Sequence, residues 1–208
     1  MKRLIATAAL ATLVATPAFA QTYPGVPDEG FYLGTAVGQA KFKNDTLDDL
    51  GSLGFNTDDK DTAFKLFAGY QFNPNFAVEA SYIDFGDFEA SAFATDGSNV
   101  ATGNIKASVD GFGFALVGRL PIDAGFSVFG KLGLIAWDGK VSGVARENGT
   151  IIFEGSDSAD DIDPFYGIGA EYVVNQVMVR AEFERYDLRD SGEDFEIDLI
   201  SASIGYRF

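Results

Sequence analysis

Residues 64–83 read FKLFAGYQFNPNFAVEASYI, and their side chains alternate between an apolar set and a mixed set. The apolar set of the first half is Phe64, Leu66, Ala68, Tyr70 and Phe72. The residues between them are Lys65, Phe67, Gly69 and Gln71. A period of two is that of a β-strand, and Asn73-Pro74-Asn75 is a tight-turn sequence. The alternation resumes at Phe76, so this stretch predicts a β-hairpin with one strongly apolar face.

The same alternation recurs along the chain, and the predicted strands number eight in all. They cover residues 31–38, 64–72, 76–83, 111–120, 127–137, 166–172, 177–184 and 199–208. The links after the second, fourth and sixth strands are short turns, whereas the links after the others are long. This pattern collects the short turns at one end of a sheet and the long links at the other. We therefore predict an all-β fold, an eight-stranded antiparallel up-and-down β-barrel.

The amino terminus has the three parts of a secretory signal peptide. Met1-Lys2-Arg3 is the basic start, an apolar run extends from Leu4 to Val14, and Ala18-Phe19-Ala20 supplies the small residues that signal peptidase requires. We predict cleavage between Ala20 and Gln21. Residues 1–20 are then the signal peptide, and residues 21–208 form a single barrel domain.

Composition narrows the possible functions. The chain has no cysteine and no histidine, so it lacks disulfides, thiolate metal sites and the commonest general base. Its formal net charge of −16 is unsuited to binding nucleic-acid phosphates. We therefore predict no catalytic residues, no cofactor, no metal site and no nucleic-acid partner.

The composition of the two strand faces predicts which one points outward. A soluble lipocalin-like barrel would have an apolar interior and a polar exterior. Here the less apolar face is mostly Gly, Ala and Ser with isolated charges, which suits a crowded interior. Aromatic residues lie near the strand ends of the other face, as expected of a membrane girdle: Tyr70, Phe72, Phe76, Tyr172, Tyr206 and Phe208. These features favour a transmembrane barrel, with a soluble periplasmic ligand-binding barrel as the alternative.

This orientation places nine charged side chains inside the predicted barrel. They are Lys65, Glu79, Arg119, Lys131, Glu171, Arg180, Glu182, Glu184 and Arg207. Five are cationic and four are anionic, so their charges nearly cancel. Because unpaired buried charges are costly, we expect a salt-bridged plug. A narrow ion-conducting pore is the alternative, although an eight-stranded barrel has an interior just wide enough for its own side chains.

The long links contain most of the acidic residues. Residues 43–62, 86–105, 138–163 and 187–196 together hold 21 of the 31 carboxylates and five Lys and Arg. Outer-membrane barrels have short periplasmic turns and long external loops, so we expect an acidic external surface. Clusters at 58–61 and 157–163 suggest a weak divalent-cation site or, as we favour, solvated loops. Asn148-Gly149, flanked by residues 141–146 and 151–154, predicts a type I′ hairpin that extends the fifth and sixth strands beyond the membrane as a candidate contact surface.

Several short segments resemble the small outer-membrane β-barrel family, the OmpA-like and OmpX-like barrels. They are GFYLG at 30–34, GYQF at 69–72, YIDFG at 82–86, RAEFERY at 180–186 and GYRF at 205–208. The resemblance covers the chain from residue 21 to its end. It implies an outer-membrane location in a Gram-negative cell. It also implies ion pairs inside the barrel between Glu and Lys or Arg, and Glu79 with Lys131 is the best match to such a pair.

The resemblance also implies function and partners. It implies that Tyr206 and Phe208, in the last strand, are read by the barrel assembly machinery. Outer-membrane hydrolases of similar shape generally use a catalytic histidine, which this chain lacks. We therefore expect a non-enzymatic monomer that contacts outer-membrane lipid and lipopolysaccharide. Its role would be envelope structure or surface interaction with an unidentified partner through long acidic loops.

Overall fold

The computed structural model describes residues 29–43, 56–58, 60–96, 99–123, 125–190 and 193–208. The predicted signal peptide and its cleavage site between Ala20 and Gln21 lie outside these residues. So do most of the long link after the first strand and part of the acidic cluster at 58–61. Among the described residues, no helix has the length and hydropathy to cross a membrane.

The described residues form nine β-strands, of which eight are long. Their bounds are β1 (Gly30–Lys43), β2 (Asn56–Asp58), β3 (Lys60–Asn73), β4 (Phe76–Asp96), β5 (Asn99–Asp123), β6 (Phe126–Glu147), β7 (Thr150–Val174), β8 (Val177–Asp190) and β9 (Glu193–Arg207). Sequential long strands pair antiparallel, and β1 also pairs with β9, which closes the ring. The three-residue β2 adds to β4. The predicted eight-stranded antiparallel barrel is confirmed.

The alternation of side chains along each strand separates the lumen from the exterior. On β3, Lys65 and Phe67 are each 2% exposed, whereas their neighbours Phe64 and Leu66 are exposed. The short turns follow their predicted chemistry, since the Asn73 carboxamide oxygen accepts hydrogen bonds from the backbone N–H groups of Asn75 and Phe76 at 2.9 and 3.0 Å. We call this the turn end of the barrel and the opposite end the hairpin end.

An apolar belt surrounds the outside of the ring. Leu132, Phe112 and Ile200 are among its most exposed members, at 71%, 68% and 67%. On β6 the belt runs from residue 126 to residue 136, about 33 Å along the strand and about 25 Å after the tilt of a membrane barrel. This matches the apolar band of outer-membrane barrels. An apolar exterior around a charged interior is the reverse of a soluble barrel, so the lipocalin-like alternative is wrong.

Two apolar layers fill the lumen, one near each end. The layer at the turn end consists of Tyr32, Phe67, Ala77, Val117, Phe129, Val173 and Met178. The larger layer at the hairpin end includes Phe85, Trp137, Phe165, Tyr186 and Leu188. Most of the charged lumen residues lie between the two layers along their strands. The lumen is therefore a packed core with a polar middle.

The described residues of the predicted loop 86–105 are strands instead, and so are the parts of 138–163 that lie outside the predicted hairpin. Strands β4 and β5 remain paired out to Asp96 opposite Asn99, and β6 and β7 remain paired out to Glu147 opposite Thr150. These segments are rich in Ala, Gly, Ser and Thr, so the apolar alternation that marks the belt is absent, while neighbouring strands still supply hydrogen-bond partners. Residues 87–96, 99–108, 140–147 and 150–158 form a four-stranded extension, which we call the protruding sheet.

The tip of the β6–β7 hairpin has the predicted turn. Asn148 has φ 49° and Gly149 has φ 83°. A type I′ turn requires positive φ at both central residues, and Asn-Gly is its preferred sequence. The predicted type I′ turn is confirmed, and it now joins two long strands of the protruding sheet.

A charge placed at the centre of the belt tests its orientation. Replacing Leu132→Arg should destabilise the folded barrel in phospholipid vesicles by about 2–4 kcal/mol, because arginine at the bilayer midplane is costly. The measurement is urea-induced unfolding followed by tryptophan fluorescence. Ile152→Arg is the matched control, because Ile152 is 61% exposed but lies in the protruding sheet. Equal effects at the two positions would contradict the assignment of the belt.

Candidate functional site

Lys131 joins three carboxylates in the middle of the lumen. Its Nζ lies 2.6 Å from Glu79 Oε1, 2.8 Å from Glu182 Oε2 and 3.4 Å from Glu184 Oε1. Lys65 completes this cluster, with its Nζ 2.8 Å from Glu182 Oε2 and 2.6 Å from Glu184 Oε2. Two ammonium groups and three carboxylates therefore share one buried cluster.

Arg180 connects this cluster to the turn end. Its Nη1 lies 2.7 Å from Glu79 Oε2 and its Nε lies 2.6 Å from Glu171 Oε2. Its guanidinium carbon also lies 5.0 Å from the ring centroid of Tyr32, 5.0 Å from that of Phe67 and 5.2 Å from that of Phe129. Aromatic faces attract cations, so the layer at the turn end holds Arg180 by its rings as well as by packing.

The network ends near the short turns at Arg119. The Arg119 Nη2 donates to Glu171 Oε2 at 3.2 Å, and its Nη1 donates to the Gln71 side-chain oxygen at 2.6 Å. Arg207 is 7% exposed in the same region, and its Nη2 has no hydrogen-bond partner among the described residues. Eight of the nine lumen charges thus form one connected network, and Arg207 lies beside it.

Two further polar residues, Tyr32 and Gln71, belong to the network. The sequence pattern places them inside the barrel, but they were not predicted as network members. The Tyr32 hydroxyl donates to Glu79 Oε2 at 3.0 Å, and Gln71 accepts from Arg119 as described. Both residues stand on the mixed face of their strands. Because a buried polar group needs a partner, each could have been added to the network once the charged face was assigned to the lumen.

Aromatic side chains close the lumen at the hairpin end. Phe165 stacks on Tyr186 at 4.9 Å between centroids, and Tyr186 contacts Phe85 edge-on at 4.9 Å. Trp137 contacts Phe195 edge-on at 5.4 Å. Four of these side chains, those of Phe85, Trp137, Phe165 and Tyr186, are at most 3% exposed. The packed rings separate the ionic network from the external side.

Asp163 corrects the prediction that residues 157–163 form a solvated acidic loop. It is 5% exposed, and its Oδ2 accepts hydrogen bonds from Trp137 Nε1 and from the backbone N–H of Arg189, both at 2.9 Å. A buried indole N–H needs an acceptor, which explains a carboxylate here. No group of acidic side chains among the described residues is arranged to hold a metal ion.

The outward side chains change from apolar to acidic just beyond the belt. Across four neighbouring strands, Asp84 stands opposite Asp110, Asp110 opposite Asp138, and Asp138 opposite Asp160. Like charges directly opposite one another in a sheet destabilise it. Lys140 offsets part of this repulsion, with its Nζ 3.5 Å from Asp138 Oδ1. The rim of the barrel is therefore acidic over β4 to β7.

The rest of the rim has mixed charge. Lys60 stands opposite Lys41, Lys41 opposite Asp198, and Asp198 opposite Arg185. Arg185 donates two hydrogen bonds to Asp198, at 2.6 and 2.9 Å. The two halves of the rim thus differ in charge.

The predicted assembly residues lie outside the barrel at the turn end. Tyr206 and Phe208 are 45% and 66% exposed, and their rings meet edge-on at 5.1 Å. Phe31 and Tyr70 form a similar contact at 4.8 Å on the adjoining strands β1 and β3. These rings form part of an aromatic girdle, and a role of Tyr206 and Phe208 in recognition by the assembly machinery stays a prediction.

Removing the central lysine tests the energetic role of the network. Lys131→Met should destabilise the folded barrel by about 3–5 kcal/mol, because it leaves buried carboxylates without their nearest cation. Lys140→Met is the control and should cost less than about 1 kcal/mol, since Lys140 lies on the exposed rim. Urea unfolding in vesicles measures both. A loss below about 1 kcal/mol for Lys131→Met would show that the network contributes little to stability.

Neutralising one acid of the rim should stabilise the barrel. Asp110→Asn relieves repulsion from Asp84 and Asp138, while the new carboxamide still offers an acceptor to the Tyr82 hydroxyl, which donates to Asp110 at 3.2 Å. We expect a gain of about 0.2–1 kcal/mol at low salt that shrinks in high salt. Asp157→Asn, opposite Val141, should have no such salt-dependent effect. A gain that salt leaves unchanged would exclude charge repulsion as its cause.

Comparisons with known proteins agree with this geometry. Residues 6–208 match the family model of the outer membrane protein beta-barrel domain. The fold resembles that of Ail, the attachment invasion locus protein of Yersinia pestis, in its complex with the heparin analogue sucrose octasulfate. The sequence identity is 20% and the TM-score is 0.52, and the match covers 88% of this chain and 100% of that chain. It also resembles Neisserial surface protein A, at 15% identity and TM-score 0.55 over 86% of this chain and 97% of that chain.

At these identities the structural likeness shows the fold alone. No curated protein matches the sequence. The family model, however, covers nearly the whole chain. This chain therefore belongs to the family of outer-membrane β-barrel proteins.

Proposed function

We propose that this protein is a non-enzymatic outer-membrane barrel that acts at the cell surface through its protruding sheet. The observation that carries the proposal is the contrast between the two parts of the molecule. The barrel interior is filled and buried, whereas the protruding sheet exposes Ile105, Val141 and Phe153 at 51%, 47% and 62%. Exposed apolar groups on neighbouring strands of one sheet are typical of a contact surface.

The family and the geometry support this placement at the cell surface. Related barrels are proteins of the outer membrane, and the belt has the height of that membrane's apolar core. Short turns face the periplasm in such barrels, so the protruding sheet lies outside the cell. Lipid and lipopolysaccharide then surround the belt and the rim as partners, and the barrel assembly machinery inserts the chain.

The filled lumen argues against the ion-conducting alternative. An ion crossing the barrel would have to pass the aromatic layer at the hairpin end and separate Lys131 from its carboxylates. Both layers are packed with side chains that are almost fully buried. The barrel is better suited to stabilise and anchor the external sheet than to conduct.

The charged residues are also poorly suited to catalysis. The carboxylates of Glu79, Glu171 and Glu182 are each held by cations inside the lumen. They are buried beneath the aromatic layer, where a substrate arriving from outside has no access. The sequence also has no histidine and no cysteine. The exposed acids therefore have neither a cysteine nucleophile nor a histidine base beside them.

The charge of the external surface indicates the kind of partner. The related protein Ail was crystallised with a heparin analogue, a polysulfated sugar. The hairpin end of this chain is acidic over β4 to β7, because it carries the row of aspartates at the rim and the acidic residues of β7. We propose that its partners are cationic or apolar surfaces, and that polysulfated sugars are repelled.

Shortening the β6–β7 hairpin tests the surface role. Val141 stands directly opposite Asp157, so residues 142–156 can be replaced by Asn-Gly, a two-residue turn that keeps the register of the remaining strands. We expect the shortened barrel to fold, so that boiling changes its gel mobility as it does for the parent. A laboratory Gram-negative strain that displays this variant should lose adherence to cultured epithelial cells.

The control variant changes the opposite end of the molecule. It carries Asn-Gly in place of the turn Asn175-Gln176 and should adhere as the parent does. Unchanged adherence of the hairpin variant would contradict a role of this hairpin at the surface.

A further inference from the structure

Among the described residues, strand β7 has an open edge along its outer half. Residues 150–163 pair with β6 on one side, but the pairing of β7 with β8 begins only at Phe165 opposite Tyr186. No described strand pairs with residues 150–163 on their second side. About half of their backbone N–H and C=O groups therefore point away from the sheet. Residues 150–162 extend for about 40 Å, long enough for a partner strand of ten or more residues.

The open edge carries charges of one sign. The sequence of 150–163 is TIIFEGSDSADDID, with five carboxylates and no Lys or Arg. Asp163 accepts a hydrogen bond from Trp137. The other four acidic side chains are exposed, and two of them, Asp157 and Asp161, also accept a hydrogen bond from the next backbone N–H, at 2.9 and 2.7 Å. Alternation places Glu154 and Asp160 on one face of the strand and Asp157 and Asp161 on the other. A chain lying along this edge would meet acids on both faces.

Apolar side chains are concentrated at the outer end of the same edge. Ile151, Ile152 and Phe153 are 49%, 61% and 62% exposed beside the turn. The edge thus offers three kinds of contact in one line, which are backbone groups, apolar side chains and carboxylates. An extended peptide that adds to a sheet uses this combination, with main-chain hydrogen bonds for affinity and side chains for specificity.

We propose that residues 150–162 of β7 bind an extended polypeptide segment rich in Lys or Arg, which pairs as an additional strand of the protruding sheet. The proposal rests on the proposed surface function and names the contact that performs it. Charge complementarity selects a basic partner. The apolar residues at the tip favour a partner with at least one aliphatic or aromatic residue near its end.

Protection of the edge is the competing explanation for these acids. Charged side chains on an exposed edge prevent two copies of a sheet from pairing edge to edge. A purely protective edge would still attract cationic peptides loosely, but it would not order their backbone. The two explanations therefore differ in whether the bound peptide forms hydrogen bonds to β7.

The experiment uses the folded full barrel in detergent micelles and two synthetic peptides. One peptide alternates Lys and Val over twelve residues, and the other repeats Lys-Lys-Pro-Pro three times, with the same length and charge. Proline has no backbone N–H, and in the second peptide prolines occupy both odd and even positions, so either edge of that peptide lacks donors for a ladder with β7. We expect the Lys–Val peptide to bind at least about tenfold more tightly than the Lys–Pro peptide. We also expect it to slow amide hydrogen exchange within residues 150–162, as followed by nuclear magnetic resonance.

Charge variants separate this edge from the general acidity of the surface. Glu154→Gln, Asp157→Asn, Asp160→Asn and Asp161→Asn together should weaken Lys–Val binding at least about tenfold, since each exposed pair contributes a few tenths of a kcal/mol or more. The matched control neutralises the same number of acids on the outside of β4 to β6. It carries Asp84→Asn, Asp87→Asn, Asp110→Asn and Asp138→Asn, and should bind as the parent does.

Equal affinity for the two peptides, or binding without slowed exchange in 150–162, would overturn the proposal. So would equal loss of binding in the two charge variants. If the Lys–Val peptide fails to bind while replacement of residues 142–156 still abolishes adherence, the edge assignment fails and the surface function stands. If the peptide binds as expected while the shortened hairpin adheres normally, the surface function fails and the edge assignment stands.

Discussion

Every backbone amide that lies in a bilayer needs a hydrogen-bond partner from the protein, because the apolar core of the membrane offers none. In this chain the requirement is met by the pairing of β1 with β9, which converts a sheet with two edges into a ring without edges. Closure also fixes the two faces of every strand, so that one set of side chains must suit lipid and the other must fill the lumen. The belt, the packed core and the ionic network all follow from this closure.

The lumen shows how a narrow ring accommodates charges. Eight strands leave an interior that side chains fill, and here rings and methyl groups at both ends exclude water from the middle. Lys131 and Arg180 are stable in that setting because each contacts at least two carboxylates. The network also joins strands that are not neighbours, since Lys131 on β6 reaches Glu79 on β4 across the lumen. It therefore opposes any register shift of one strand, which would move every lumen residue of that strand to the lipid side.

The strands in the belt could be predicted from the sequence because lipid selects apolar side chains at every second position. The pair Glu79 and Lys131 was expected from the resemblance to small outer-membrane barrels, and in the structure their charged groups lie 2.6 Å apart. Beyond the belt this selection stops. The segments around Ile105 and Asp157 are too polar to show alternation, so their strands were missed. The hairpin strands on either side of Asn148-Gly149 were predicted, because the turn itself has a signature. Asp163 was wrongly assigned to a solvated loop. A run of acidic residues is typical of a loop, and the partner that explains Asp163, Trp137, is distant in sequence.

The protruding sheet shows what changes when the membrane no longer dictates the structure. Within the belt an open strand edge is excluded by the cost of unpaired amides, so all strands are paired there. Outside the belt water can satisfy those amides, and β7 continues past the last residue that β8 covers. An exposed edge of this length promotes self-association unless its side chains oppose it, and the acids of β7 provide that opposition between like copies. The same acids attract a strand of opposite charge, so a feature that opposes pairing between like copies also favours basic chains as partners.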